Sequence, residues 1–412
     1  MHVAELLHPA AARPLRFLGL TASGLALTVG AGTLPALAVT TTAGRPATAV
    51  TAAARPAVTS LTGTPVAVST LSTTDAWAVE NSSTVLHWNG AAWAQTKLPE
   101  YGTGSYLEAV DALSPTDAWA AGFYDTSSSQ GHPLLEHWNG STWTRTASTG
   151  ATRGTPSQSV LTGTFLQGVS GTSASSAWAV GYDVIASGDV YSVSVILRWN
   201  GTTWTRVPSP DPGGGTNVYL NAVTSVSATD AWAVGYYTTP AGKTQALTAH
   251  WNGSAWKVVA NPAHGDPDLL GVTADSSSDA WAVGSDGEKT MVLHWNGTSW
   301  TQVASPSPGD FDNALFGVSA VSPTQAWAAG SYEIQKPTGV APVKTLLLRW
   351  NGSDWTQVTT PNPDRVSGLN GVSANSASSA WAVGSYQVRH SGGQIPGQTL
   401  MLRWNGTAWT RS

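Results

Sequence analysis

Ala231-Trp232-Ala233-Val234-Gly235 and, further along, Trp251-Asn252-Gly253-Ser254-Ala255-Trp256 decide the fold of this chain. The first stretch alternates bulky and small apolar residues, the period-two signature of a strand. The second carries Asn-Gly, the strongest short hairpin signal, because a type I′ turn needs positive φ at both central residues. Read as a two-residue turn, the copy at Asn405-Gly406 would set Trp404 against Thr407 and Leu402 against Trp409.

Both marks recur in strict alternation. The first Trp stands at 77, 119, 178, 232, 281, 327 and 381, a mean step of about 51 residues. The Trp before Asn-Gly stands at 88, 138, 199, 251, 295, 350 and 404, and the Trp after it at 93, 143, 204, 256, 300, 355 and 409. Together they account for all 21 Trp of the 412-residue chain.

Each copy reads as four strands. An apolar run such as Leu220-Asn221-Ala222-Val223 comes first, then Ala231-Trp232-Ala233-Val234 after a Ser/Thr/Asp turn. A strand such as Leu346-Leu347-Leu348-Arg349-Trp350 follows, and Trp355-Thr356-Gln357-Val358 closes the copy. In the second strand Trp232 and Val234 point one way, Ala231 and Ala233 the other. The bulky face of one sheet can therefore fill the shallow face of the next. One copy cannot hide its Trp alone, but a ring hides them on both sides. An open solenoid would need polar end caps, yet the first and last copies carry the same three Trp. The expected fold is all-β: a seven-bladed β-propeller of four-stranded antiparallel blades. The blades fall at about 62–98, 104–148, 162–208, 217–260, 267–305, 312–360 and 366–412.

Ahead of the repeats, Arg13 and Arg16 flank an apolar core from Leu18 to Val29, and Ala36-Leu37-Ala38 is a small-x-small cleavage site. This reads as a signal peptide, 1–38, followed by an Ala/Thr/Pro-rich linker, 39–61. The apolar core is short of the roughly 20 residues a bilayer span needs. Export, a secreted location and no stable membrane insertion after cleavage are expected. The net charge of −5 offers no broad basic patch, so nucleic acid is not an expected partner. No Cys is present, which excludes disulfides, thiolate metal sites and a Cys nucleophile. A monomer is expected.

Over residues 62–412 the repeat resembles the tryptophan-rich propeller repeats of secreted actinobacterial proteins. These are similar to kelch-type blades and to the propeller domain of galactose oxidase. The resemblance implies the fold and little about activity, since propellers host many functions. The copper-radical chemistry of galactose oxidase needs a Cys–Tyr crosslink and does not carry over to a chain without Cys. Sialidase-type Asp-boxes share the Gly-x-x-Trp ending, but Trp stands here in the place of their Asp.

Antiparallel order puts the strand 1–2 and 3–4 turns on one face, where every copy is nearly alike. The strand 2–3 connections and the blade-to-blade linkers share the other face, which holds all the length variation. Variable loops on a rigid scaffold are where binding residues collect. Candidate ligand-binding residues there are Tyr124, Tyr182, Asp183, Tyr236, Tyr237, Tyr332 and Tyr386, whose rings suit sugars or aromatic ligands. The plainer reading is that these Tyr cap the strand ends. Asp266, Asp268, Asp310 and Asp312, with Asp211 and Asp364, lead toward the channel mouth and could offer oxygens to Ca2+, the one cofactor considered. The plainer reading is local turn bonding by Asp.

Two sets of polar residues are read as structural. His87, His137, His250 and His294 precede the second Trp, a slot that Arg198, Arg349 and Arg403 fill elsewhere, and read as outward polar residues. Asp75, Asp117, Asp230 and Asp279 precede Ala-Trp and read as turn residues. The Asn-Gly-Ser/Thr matches to a glycosylation pattern are explained by the turn itself.

No nucleophile elbow, phosphate loop, dinucleotide fingerprint or zinc-protease motif is present. The expected function is a non-catalytic binding module for extracellular glycan or a cell-surface protein partner. The alternative is a polysaccharide hydrolase or lyase drawing on Asp268, Asp312, Arg365, His264 and His390. The third reading is a structural propeller that docks other proteins.

Overall fold

The computed structural model describes residues 61, 63–127, 130–148, 160–187, 189–212, 216–335, 341–387, 389–390, 393–394 and 397–412. The segments expected as signal peptide and, apart from residue 61, as linker lie outside them. Among the described residues there are thirty strands and no helix. Twenty-eight of the strands fall into antiparallel sets of four, three standing as separate sheets and the other four joined two by two through single parallel bridges, Gly131 with Gly163 and Val343 with Val366. The remaining two, Arg389–His390 and Gly393–Gln394, pair with each other in the strand 2–3 connection of the last blade.

The fourth blade shows the pattern. Thr216–Ser227 pairs with Asp230–Thr238, which pairs with Thr244–Trp251, which pairs with Trp256–Val258. The first strands of successive blades touch one another all the way round, and that of the seventh touches that of the first, so the sheets close into a β-propeller. Blade 1 begins with Pro65–Ser72 and blade 7 with Val366–Ser376. Among the described residues the two ends share no strand. Packing joins them, with Asn370 Nδ2 donating to the Pro65 carbonyl at 2.8 Å and Thr70 N to Ser373 Oγ at 2.9 Å.

The second of these bonds belongs to a belt. In six blades the residue opposite the first Trp reaches the next blade's first strand. Ser69, Asp111, Ser170, Thr273, Ser319 and Ser373 accept a backbone N–H there. Asp111 is the one carboxylate among them, and its burial pushes its pKa up to about 6 against the opposing hydrogen bond from Gly171 N.

The blade stacking follows the alternation in strand two. Trp232 and Val234 pack into the core shared with blade 5, and Ala231 and Ala233 into the core shared with blade 3. In each gap the first Trp of one blade meets both later Trp of the next. Trp232 lies 4.9 Å from Trp295 and 5.0 Å from Trp300, the latter edge-on at 83°. The triplet Trp381, Trp88 and Trp93 repeats this across the closure. Such aromatic pairs contribute about 0.5–1.5 kcal/mol each beyond burial. Gly235 ends the Ala-Trp-Ala-Val run because a Cβ there would stand 2.1 Å from the Tyr219 carbonyl oxygen. Blade 1 has Glu80 in that slot. Its carboxyl takes the space over Gly63, and burial raises its pKa to about 7.

The structure corrects the Asn-Gly register. Trp404 pairs with Trp409, Arg403 with Thr410 and Leu402 with Arg411, so the connection has four residues, Asn405 to Ala408. Only the Gly has positive φ, +96° at Gly406. The Asn side chain accounts for the change: Asn405 Oδ1 accepts from Thr407 N, Ala408 N and the Thr407 hydroxyl, and Asn405 N donates to the Ala408 carbonyl. That Asx-type capping outweighs the type I′ preference.

Candidate ligand-binding face

The repeated face is closed architecture. All seven first Trp are at most 3% exposed, and the Trp before Asn-Gly bonds back to the strand 1–2 turn, as Trp251 Nε1 does to the Ala228 carbonyl. The histidines and aspartates read separately in the sequence turn out to be partners. His87 Nε2 lies 3.0 Å from Asp75, and His137, His250 and His294 lie 2.8 Å from Asp117, Asp230 and Asp279. Each imidazole covers its blade's first Trp, with His87 at 4.0 Å from Trp77. Where the slot holds Arg, the guanidinium lies over two indoles: Arg198 is 5.2 Å from Trp178 and 5.3 Å from Trp251. These side chains are therefore packing elements and not simply outward-facing polar residues. The signal was available in the sequence, because His occurs with Asp in four copies while Arg occurs with Ser or Gln in three.

The variable face is not symmetric. Strands one and two of blades 2, 3 and 4 end in stacked cross-strand pairs: Tyr106 with Phe123, Phe165 with Tyr182, and Tyr219 with Tyr236. Edge-on contacts link the pairs across the gaps, Phe123 to Phe165 at 4.9 Å and Tyr182 to Tyr219 at 4.9 Å. Six rings thus form one arc. The same slots in blades 5, 6 and 7 hold Asp268 with Ser285, Ala314 with Ser331 and Gly368 with Ser385. Tyr182 and Tyr236 were legible candidates. Phe123 stands at the same offset after strand two as Tyr182 and Tyr236, whereas Tyr106, Phe165 and Tyr219 were missed, because the strand-one slot only becomes comparable once the register is known.

The other candidate tyrosines stand one residue further along. Tyr124, Tyr237, Tyr332 and Tyr386 pack against the upper ends of interblade cores, in keeping with the capping reading. Arg145 lies 4.5 Å from the Tyr101 and Tyr124 rings and donates to the Tyr124 hydroxyl at 2.8 Å. Arg411 covers Tyr386 at 4.6 Å. Beneath Arg145, Glu136 occupies a slot that holds a leucine or alanine elsewhere. It is 1% exposed, and burial raises its pKa to about 7 against the lowering effects of its Tyr101 hydrogen bond and Arg145. Asp183 sits in the Tyr124 slot of blade 3. It is fully buried, accepts from Thr164 Oγ1 at 2.7 Å, and pairs with Arg206 at 2.7 Å.

The candidate carboxylates have separate local partners. Asp268 accepts from Asn221 Nδ2 across a blade boundary at 3.0 Å. Asp266 N donates to Asp286, and Asp310 accepts from Gln335 N. Asp312 N donates to Glu288, and burial followed by the neighbouring Glu288 charge raises the Asp312 pKa. Glu333 is raised by burial, then Asp312 and Glu288. Arg365 N donates to Asp364, and His264 is exposed. His390 belongs to the short ribbon of blade 7. Among the described residues no three His, Asp or Glu side chains gather as a metal ion would require.

Two cavities open from these elements. One, about 160 Å³, is the central channel, lined by all seven first strands, which present Ala67, Glu108, Gln167, Asn221, Leu270, Phe316 and Asn370 in turn. The other, about 470 Å³, lies on blade 3 between its third strand, Arg206 and the linker Val207 to Asp211.

No protein-family model and no curated protein sequence matches this chain. Solved structures do. The structure described as YCF48 bound to D1 peptide is 15% identical, with a TM-score of 0.48, over 83% of this chain and 93% of that one. YCF48 from Cyanidioschyzon merolae is 18% identical, with a TM-score of 0.46, over 78% and 88%. A computationally designed protein, Ika8, is 10% identical, with a TM-score of 0.43, over 86% and 97%. These likenesses concern fold alone.

Proposed function

We propose that the chain is an exported, non-catalytic binding module that recognises extracellular glycan through its variable face. The observation that carries this reading is the one-sided aromatic arc from Tyr106 to Tyr236. Packing between blades needs no such arc, since blades 5 to 7 pack with Ser, Ala, Gly and Asp in its slots. Three of its rings, Tyr106, Phe165 and Tyr236, are only half-buried. Amphipathic rings at a concave rim suit the apolar faces of sugars. The repeated Trp do not serve as multiple sugar platforms on this reading, because most are buried between blades.

A glycan array probed with the full chain tests this. Binding without release of reducing ends is the expected result. Turnover would instead favour the hydrolase or lyase reading, whose best support is the mutually charged group Glu288, Asp312 and Glu333. A blank array with capture of a surface protein would leave protein docking. Ca2+ at Asp266, Asp268, Asp310 or Asp312 would appear as chelator-sensitive binding.

A further inference from the structure

The cavity on blade 3 has a cause in the strand lengths. The third strand of this blade, Asp189–Trp199, is 11 residues long, against 7 for Lys289–Trp295 in blade 5. The fourth strand covers it only from Ile196 to Trp199. The remaining outer edge runs past the fourth strand on the variable face, against the start of the next blade's first strand, Thr216–Ser227. Asn217 Oδ1, on a residue held at φ +61°, accepts from Ser192 N on that edge. In blade 5 the departing linker is drawn against the shorter strand, where the Thr290 hydroxyl meets Ser305, the Pro306 carbonyl and Ser307. In blade 3 Ser194 reaches the corresponding Ser209. Between this contact, Arg206 and the longer strand edge a cleft of about 470 Å³ stays open.

The cleft's guanidinium is fixed in advance. Arg206 is anchored to Asp183, which is fully buried and held again by Thr164. No other blade combines Arg and a carboxylate in these two slots. The anchor compensates the guanidinium charge, so the cleft is not a simple anion trap, and Asp211 lines its rim with an acceptor. A negatively charged ligand would meet Asp211 and a positively charged one Arg206. A neutral ring bearing hydroxyls satisfies both, accepting from the guanidinium and donating to the carboxylate, while Val193, Pro208 and Pro210 supply apolar wall. We propose that this cleft is a subsite for one neutral pyranose ring. The proposal rests on the glycan-binding reading and names the place and class of the sugar.

The test uses the full chain with methyl glucosides, galactosides and mannosides as probes, followed by ligand-observed NMR and calorimetry. Glucuronate and glucosamine serve as the charged comparisons. Ser209→Phe fills the cleft and Asp211→Asn removes its acceptor, and both leave the Arg206–Asp183 pair in place. The expected result is binding of at least one neutral methyl pyranoside that weakens about ten-fold or more in each variant, with unchanged melting temperatures. Binding confined to glucuronate or glucosamine overturns the proposal, as does pyranoside binding that S209F leaves intact. If array-positive oligosaccharides bind S209F normally, the subsite falls while the glycan reading of the face stands. A blank array with the intact chain sinks that reading itself.

Discussion

The two faces of this propeller are built from the same blades and differ in what the repeats keep. On the repeated face every blade supplies the same buried Trp, the same Asn-Gly-x-x turn and one of two covers for its indole, His with Asp or Arg with Ser or Gln. On the variable face neighbouring blades disagree slot by slot, and the disagreement is grouped: rings over blades 2 to 4, small residues over blades 5 to 7. Identical solutions in seven places mark a packing problem that every gap must solve. A solution confined to one arc marks something the ring does not need in order to close.

The largest expected effect breaks the repeated face. Trp281 is fully buried and touches Trp350 and Trp355 of the next blade. Trp281→Ala should cost about 3–5 kcal/mol, through lost burial and an unfilled cavity. Urea unfolding measures it. A cost below about 1 kcal/mol would mean that the gap collapses freely and that the triplets are not what holds the blades.

Glu136 is a place where the variable face intrudes on a core slot. Its folded-state pKa of about 7 stands above the ordinary 4.5, so the fold favours its protonated form. The stability it lends is complete below about pH 4.5 and is lost as pH rises through 7. Glu136→Gln should therefore match the parent near pH 4.5 and exceed it by about 2 kcal/mol at pH 8. Equal stabilities at pH 8 would show that Tyr101 and Arg145 already offset the burial.

A smaller effect tests whether the two indole covers are alternatives. Asp230→Ser and His250→Arg, made singly in blade 4, should each cost about 1 kcal/mol. Made together they install the pair used in blade 3, and the cost should largely vanish, leaving a coupling energy of about 1 kcal/mol. Strictly additive losses would mean that the His–Asp distance of 2.8 Å reflects proximity and no joint role.

How much of this was legible in the sequence follows the same division. The strand count per copy, the alternation of Trp232 and Val234 against Ala231 and Ala233, and the assignment of turns to faces rest on period and spacing, and the structure has them. The turn register was misread, because Asn252 was taken for its backbone preference when its side-chain oxygen caps the N–H groups of Ser254 and Ala255. The arc was half legible. Tyr182 and Tyr236 follow the Ala-Trp mark at a fixed offset, whereas Phe165 and Tyr219 lie in strands where a bulge shifts the register beside Gly181 and Leu220. Arg206 and Asp183 could not be joined by spacing at all, because the pair spans a whole intervening strand.

An equally small change in stability carries the most about function. Tyr236 is half-buried and ends the arc on Tyr219, with the ring centroids 4.7 Å apart. Tyr236→Ser places in blade 4 the residue that blades 5, 6 and 7 use there, so the fold already tolerates it three times over. The loss should be about 1 kcal/mol, the worth of one aromatic pair, and the melting curve should keep its shape. Glycan binding, if it uses the arc, should fall about ten-fold or more in the same variant, since a stacking platform contributes on the order of 1.4 kcal/mol or above. The reciprocal change, Ser331→Tyr in blade 6, adds a ring to the bare arc and should leave binding unchanged. If the two variants bind equally well, the asymmetry of the face is an accident of packing, and recognition must be sought elsewhere on the rim.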